Sequence, residues 1–330
     1  MFGSLKAQIT AVLQCICRFG ESRHLQKLQN NNQSPYVHAI GTFDKVAHWL
    51  WPLVEWLKAN GIKDLELLNC HLLDKYLPTR LLYHQSKGNS VHTMQVELSA
   101  LSILARALTE FSRLHRKIPI VYDFGPAIEA FRPMIRSLPK RTSPYTSRAL
   151  PCPEEVIANM KNPKLALMAE IQLSCGCRTE GVGAPQRSYP GSSTFSMNNF
   201  ILPEGNGIIQ PIPDPITWEL VYPFWTCEKG GKVALKHCPA ALAERIFNWL
   251  DFNEEDLCEK YPVYLYAVNT AMRKAGQFAK GRGTHSLRFS FAQRRYLACV
   301  QSGMSDERAK KFVSAEMSHN RPEVTGSYLK

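Results

Sequence analysis

Residues 317–328 read MSHNRPEVTGSY, and a second stretch upstream, residues 283–288, reads GTHSLR. In the first stretch a histidine stands nine residues before a tyrosine. In the second, His285 and Arg288 are three residues apart, so on a helix they share one face. That face can present an imidazole and a guanidinium to one phosphate, and a planar guanidinium suits two phosphate oxygens. Either stretch alone is weak evidence, because surface histidines and packing tyrosines are common, but together they indicate chemistry on a phosphate.

Two further elements precede these stretches in the chain. A helix predicted over about 153–176 ends near Gly176 and is followed by Arg178. A hairpin is predicted from strand 217–227, through the turn KGGK, to strand 233–237, because a central Gly-Gly pair favours a tight turn. These elements add one arginine and a hairpin lysine to the set of basic residues.

In this order and context the residues resemble the tyrosine recombinase, or integrase, family over about residues 40–330. The family's C-terminal boxes read HxxR and then GH, followed by a threonine and the nucleophilic tyrosine. A GxR arginine and a lysine on a KGxK hairpin come earlier. The catalytic residues that the resemblance implies are Arg178, Lys229, His285, Arg288, His319 and Tyr328, with Thr325 matching the threonine. Lys232 stays open as the alternative lysine, since a small shift of the hairpin exchanges the two.

The resemblance implies a site-specific DNA recombinase of a mobile element, such as a phage, an integrative element or a genomic island. Tyr328 would attack a phosphodiester and form a 3′-phosphotyrosyl link, which conserves the bond energy so that strand exchange needs no ATP. The two arginines would stabilise charge on the non-bridging oxygens, and His319 would add a hydrogen bond. His285 would serve as the acid/base group, and Lys229 would protonate the leaving 5′-oxygen. We expect no metal or other cofactor, because the arginines and the lysine supply positive charge.

Two positions depart from the family's pattern. The acidic residue expected three positions after Arg178 is Gly181 in this chain, and Glu180 stands one place early. If this departure shifts the frame of the motif, Arg187 is the alternative arginine. Ser318 stands where the second histidine box usually has glycine.

The N-terminal half is predicted to be a helical bundle without catalytic residues, because apolar residues recur there at helical spacing. Five prolines among basic residues between about 133 and 153 indicate an extended linker, either solvated or lying on phosphates. The predicted domains are an N-terminal helical extension (1–35), a helical core-binding domain (36–135), a basic linker (136–152) and a catalytic domain (153–330). The expected fold class is mainly α with a small β-hairpin or sheet. A SAM-like core-binding domain and a mixed α/β catalytic domain would form a C-shaped clamp on DNA.

The composition suits a globular protein that meets a polyanion. The chain is 45% hydrophobic and 21% charged, with a formal net charge of +12. Residues 1–150 hold 19 Lys+Arg against 10 Asp+Glu, a net of +9, while residues 151–330 hold 21 against 18, a net of +3. Such a surplus attracts DNA or RNA. The ten cysteines lack the ligand spacing of a zinc site, and we expect free thiols in a reducing cytosol.

The expected partner is double-stranded DNA at attachment sites, bound by a homotetramer, with accessory directionality or DNA-bending proteins as further candidates. No apolar run reaches the roughly 18 residues of a membrane span, so we expect a cytoplasmic, nucleoid-associated protein and no membrane partner. Two alternatives stay open. One is a type IB topoisomerase-like enzyme, which shares the nucleophile and the arginines; the other is a catalytically inactive DNA-binding relative.

Overall fold

The computed structural model describes residues 1, 3–21, 26–27, 30–31, 34–140, 147–186, 194–201, 207–228, 232–279, 281–319 and 325–329, with the backbone alone at Lys232. The chain divides into two compact units, Met1–Ser143 and Pro144–Lys330. We call them the N-terminal unit and the C-terminal unit. The division falls inside the segment 136–152 that the sequence analysis assigns to a linker.

The described part of the N-terminal unit is helical. Its helices are α1 (Leu5–Gln14), α2 (Ile40–Ala59), α3 (Cys70–Ser86), α4 (Val91–His115) and α5 (Gly125–Phe131), followed by a short 3-10 helix, Met134–Ser137. On α4, Leu98, Leu101, Leu104 and Leu108 recur at helical spacing and are buried, which explains why this segment forms the longest described helix of the unit. Helix α1 lies in the predicted extension 1–35 and adds Leu5, Ile9 and Leu13 to the same core.

A buried carboxylate ties two of these helices together. Glu97 of α4 accepts hydrogen bonds from Tyr76 Oη at 2.6 Å and from Arg80 Nε at 2.7 Å, both on α3. His84 Nε2, also on α3, lies 2.9 Å from the same carboxylate. Because these groups pair with one another, the cluster acts as a structural network of the bundle core.

The C-terminal unit combines helices with a small sheet. Its helices are α6 (Pro153–Ala158), α7 (Pro163–Cys175), α8 (Ala240–Asn253), α9 (Tyr261–Lys274), α10 (His285–Gln301) and α11 (Asp306–Glu316). The strands β1 (Ile212–Pro213), β2 (Leu220–Glu228) and β3 (Lys232–Pro239) form an antiparallel sheet in the order β1-β2-β3. The register pairs Glu228 with Lys232 across the hairpin. A mainly helical fold with a small hairpin sheet was predicted, and the structure confirms it.

The segment 153–176 differs from its prediction as one helix. Helix α6 ends at Ala158, and α7 starts anew after Asn162, whose side chain accepts a hydrogen bond from the backbone N–H of Leu165. Pro163 lacks the backbone N–H that a continuous helix requires and is favoured at a first helical position, so the chain restarts there. The restart leaves the predicted end of the segment unchanged, with Gly176 directly after α7.

No helix in the described parts of the chain is long and apolar enough to cross a membrane.

Candidate active site

Helix α10 positions the first histidine and the second arginine. His285 is its first residue and Arg288 follows one turn later on the same face. The Arg288 side chain is fully buried, and Nη1 donates to the carbonyl of Gly176 at 2.6 Å and to Glu228 Oε1 at 3.1 Å. Nη2 donates to the carbonyl of Met317. This guanidinium therefore joins α10 to the ends of α7, β2 and α11.

Gly176 creates the turn that leads into the first arginine. Its φ of 63° lies in the left-handed region, and a Cβ there would come within 2.5 Å of the Phe291 ring. Both constraints require glycine. The turn directs the Gly176 carbonyl at Arg288 and buries Cys177, so that Arg178 emerges beside the end of β2.

Arg178 is the more accessible of the two arginines. Its side chain is 23% exposed and pairs through Nη1 with Glu228 Oε2. The backbone N–H of Arg178 donates to the other oxygen of the same carboxylate at 3.2 Å. Arg178 and Arg288 therefore share one carboxylate.

Glu228 was not predicted from the sequence. It ends β2, where inward and outward side chains alternate, so Glu228 lies on the buried face with Thr226. Burial acts to raise the pKa of the Glu228 carboxyl. The charges of Arg288 and Lys236, with that of Arg178, outweigh burial and lower this pKa to about 2.

The hairpin lysines lie partly outside the described residues. Lys229 belongs to the turn that the structure does not describe, and of Lys232 only the backbone is described. The lysine found beside the arginines is Lys236 of β3, whose Nζ lies 3.6 Å from Glu228 Oε1 and donates to the carbonyl of Glu316. Burial lowers the pKa of Lys236, although Glu228 opposes this shift. The sequence signal for Lys236 is a charged residue at an inward position of the predicted strand 233–237, whereas Glu228 lies one residue beyond the predicted strand 217–227.

The second histidine is positioned by the end of helix α11. The backbone N–H of Ser318 donates to the carbonyl of Ala315 and that of His319 to the carbonyl of Ser314, both at 2.8 Å. These bonds form a Schellman motif, and Ser318 has the left-handed φ of 57° that such a motif requires. Glycine adopts this conformation at less cost than serine, which gives a physical reason for the glycine usual at this position. The motif brings His319 Nε2 to 3.4 Å from Arg288 Nη2.

Tyr328 is in contact with both histidines. Its hydroxyl lies 2.9 Å from His285 Nε2, and its ring centroid lies 5.1 Å from that of His319. Phe289 stacks on the tyrosine ring at 4.3 Å with an interplanar angle of 27°. The tyrosine is 8% exposed, so these rings hold its hydroxyl in one place.

Both histidines are held in their neutral form. Burial lowers the pKa of His285 to about 3, and the positive charge of Arg288 adds to the effect. The same two causes lower the pKa of His319 to about 3. A neutral imidazole has one unprotonated ring nitrogen, so Nε2 of His285 can accept a hydrogen bond from the hydroxyl of Tyr328.

The structure thus brings together five of the six predicted site residues. Contacts run from Arg178 through Glu228 to Arg288, and from Arg288 through His319 to Tyr328 and His285. The sixth, Lys229, and the alternative Arg187 lie outside the described residues. Within the described ranges, no group of His, Cys, Asp and Glu side chains is arranged to hold a metal ion.

Two solved structures have a fold similar to that of this chain. The first is the site-specific recombinase XerH bound to palindromic difH substrate in a post-cleavage complex. It is 15% identical, with a TM-score of 0.57, over 88% of this chain and 77% of that chain. XerH bound to difH substrate in a pre-cleavage complex has a TM-score of 0.57 at 14% identity, over 100% of this chain and 95% of that one.

The chain has the tyrosine recombinase fold. The sequence itself matches no protein-family model, and no curated protein is significantly similar to it. At 14–15% identity the likeness to XerH establishes the tyrosine recombinase fold and leaves the activity to be argued from the site.

Proposed function

We propose that this chain is a site-specific DNA recombinase, an integrase of a mobile element, which cuts and rejoins DNA through a 3′-phosphotyrosyl intermediate. The observation that carries the proposal is the 2.9 Å contact between the hydroxyl of Tyr328 and Nε2 of the neutral His285. A phenol is a weak nucleophile until a neighbouring base takes its proton. The same site places two arginines close by, and these suit a phosphodiester.

The proposed first step moves two protons and exchanges one P–O bond for another. The oxygen of Tyr328 bonds to phosphorus while its proton passes to Nε2 of His285. The bond from phosphorus to the 5′-oxygen breaks, and Lys229 donates a proton to that oxygen. In the second step a 5′-hydroxyl of another strand attacks the phosphotyrosine by the reverse route, so that no bond energy is lost.

Arg178 and Arg288 have different parts in this scheme. Arg178 is 23% exposed, which supports a direct contact with the non-bridging oxygens of a phosphate. Arg288 is fully buried and holds together the carbonyls of Gly176 and Met317, so its charge acts from behind the site. Nε of Arg288 and Nδ1 of His319 are each a buried polar group without a hydrogen bond to the described residues.

We propose double-stranded DNA at attachment sites as the substrate, with the protein acting as a homotetramer in the cytoplasm and on the nucleoid. The net charge of +9 on residues 1–150 supports a role for the N-terminal half in holding DNA, because each neutralised phosphate releases counterions. The XerH structures with a similar fold are complexes with difH substrate. Accessory directionality or DNA-bending proteins belong to the same proposal.

A covalent-trapping experiment tests the proposed chemistry. The probe is a duplex that the full-length protein selects by binding from a random-sequence library, then prepared as a pool of single nicks across the site. A nick beside the cut lets a short fragment diffuse away, which traps the covalent complex. The incubation contains EDTA, and the products are separated on a denaturing gel.

The wild-type protein is expected to give a shifted protein–DNA band that is missing in Tyr328→Phe, although both proteins bind the duplex. The absence of a wild-type band on bound duplex would contradict the proposal and favour a DNA-binding relative without activity. Relaxation of supercoiled plasmid by the monomeric protein, without recombinant product, would instead favour the topoisomerase-like alternative.

A further inference from the structure

We propose that Glu228 is a positioning residue for the reaction and sets the spacing between Arg178 and Arg288. The inference rests on the proposed function and names a residue that the catalytic set above does not contain. One carboxylate at the end of β2 accepts hydrogen bonds from both guanidinium groups, 50 and 60 residues away in the chain.

The geometry separates Glu228 from an ordinary surface ion pair. Its side chain is 0% exposed, and its two oxygens accept hydrogen bonds from different groups. Oε2 binds Nη1 of Arg178, while Oε1 binds Nη1 of Arg288 at 3.1 Å and the backbone N–H of Arg178 at 3.2 Å. The carboxylate therefore fixes the main chain of Arg178 as well as its side chain. Because the backbone and the side chain of Arg178 are both held by Glu228, its guanidinium loses less conformational freedom when it binds a phosphate.

The position that normally supplies an acid to this motif has no room for one. A Cβ on Gly181 would overlap the hydroxyl of Thr226, a buried residue of β2. Glu180, one place earlier, is buried and accepts a hydrogen bond from its neighbour Thr179, and none of its described bonds involves the arginines. The acid that contacts the arginines in this chain therefore comes from β2, two residues beyond Thr226.

The charge balance of the cluster suits an anionic substrate. One acidic side chain, Glu228, lies among three basic ones, Arg178, Arg288 and Lys236. The surplus of positive charge remains for the phosphate, whose negative charge grows as the tyrosine attacks. Without the carboxylate, the three basic groups would repel one another and move apart. The two arginines would also lose the acceptor that they share.

The test compares Glu228→Gln and Glu228→Asp with the matched control Glu180→Gln, which removes a buried carboxylate of the same motif that has no described bond to either arginine. The first measurement is the rate of covalent-complex formation on the selected, nicked duplex. Glu228→Gln is expected to slow it by about 10²-fold, the size of losing a donor that stabilises the transition state. DNA affinity is expected to stay within about threefold of wild type, because binding draws on many phosphate contacts. Glu180→Gln is expected to cleave at the wild-type rate.

Glu228→Asp keeps the proposal testable if Glu228→Gln fails to fold. It retains the charge but shortens the side chain by one methylene, so that it no longer reaches both guanidinium groups. It is expected to fold with a lower thermal midpoint, because a buried guanidinium loses its partner, and to cleave about tenfold more slowly.

A second substrate separates positioning from a structural role. A methylphosphonate at the cut site lacks one negatively charged oxygen, so its transition state depends less on the two arginines. The slowing caused by Glu228→Gln or Glu228→Asp is expected to shrink to about threefold on this substrate. An equal loss on both substrates, or wild-type cleavage by both variants, would overturn the proposal. A wild-type protein that forms no Tyr328-dependent complex would instead refute the proposed function on which the inference rests.

Discussion

The hydroxyl of Tyr328 lies 2.9 Å from Nε2 of His285, although 43 residues separate them in the chain. His285 starts α10, and Tyr328 follows a turn in which its backbone N–H donates to the carbonyl of Thr325 at 2.8 Å. Phe289, one turn along α10 from His285, stacks on the tyrosine ring and fixes its orientation. The tyrosine and its proposed base are therefore paired by contacts within the protein itself.

Replacing the base should separate binding from cleavage. We expect His285→Gln to slow formation of the covalent complex by about 10²–10⁴-fold, the usual contribution of a positioned acid or base. Binding to the same duplex should be unchanged in a gel-shift titration. His237→Gln is the matched control, because His237 is a half-buried histidine on β3 of the same unit and lies outside the proposed set. Cleavage by His285→Gln at the wild-type rate would remove His285 from the mechanism.

Stability should fall on the acid side of neutral pH. The pKa of both His285 and His319 is lowered to about 3 by burial and by Arg288, whereas an unfolded chain protonates histidine near pH 6.5. Between these values the unfolded state binds more protons than the folded state, so the free energy of unfolding decreases as pH falls from about 6.5 toward 3.

Urea unfolding at a series of pH values measures this slope. His319→Gln removes one titrating group, so the free energy of unfolding should change less steeply with pH between about 6.5 and 3. The free energy of unfolding above pH 7 serves as the reference for each protein. An unchanged slope in the variant would contradict the assignment of a neutral, buried His319.

Replacing the two arginines should lower the stability of the protein by different amounts. Arg288→Ala removes a fully buried guanidinium, leaving Glu228 with one partner fewer and two carbonyls without their donor, so we expect a loss of about 3–5 kcal/mol of stability. Arg178→Ala should lose less, because its side chain is 23% exposed and keeps part of its hydration. It should nevertheless abolish cleavage while DNA binding survives. If Arg178→Ala cleaves normally, Arg187 becomes the candidate arginine.

The choice between Lys229 and Lys232 can be made with a modified leaving group. A lysine that protonates the 5′-oxygen is unnecessary when that atom is sulfur, because a thiolate leaves without a proton far more readily than an alkoxide. We expect Lys229→Ala to lose cleavage of an ordinary duplex and to regain it on a 5′-phosphorothiolate at the cut site. Lys232→Ala should cleave both substrates alike. The reverse pattern would assign the role to Lys232.

The sequence predicted the parts of the site that depend on local geometry. His285 and Arg288 share a face because a helix repeats every 3.6 residues, and Arg178 follows a glycine that ends a helix. The role of Ser318 in a left-handed turn was visible only as a departure from a usual glycine. The shared face of His285 and Arg288 and the helix end before Arg178 are set by neighbours along the chain, so spacing is sufficient to predict them.

The acidic centre of the cluster could not be predicted in the same way. Glu228 meets Arg178 and Arg288 across 50 and 60 residues, and that contact depends on where the end of β2 lies relative to the turn after α7 and to α10. Spacing carries no information about such packing. The predicted strand ended at residue 227, so the sequence did not indicate the burial of Glu228, which would be costly without a partner.

The most direct test of the central claim is to identify the residue that becomes covalently bound to DNA. The trapped complex is digested with nuclease and protease, and the remaining nucleotide adduct is located by tandem mass spectrometry. The account predicts a nucleotide joined through its 3′-phosphate to Tyr328, with no adduct formed by Tyr328→Phe. An adduct on any other residue, or cleavage that leaves no covalent adduct, would contradict it.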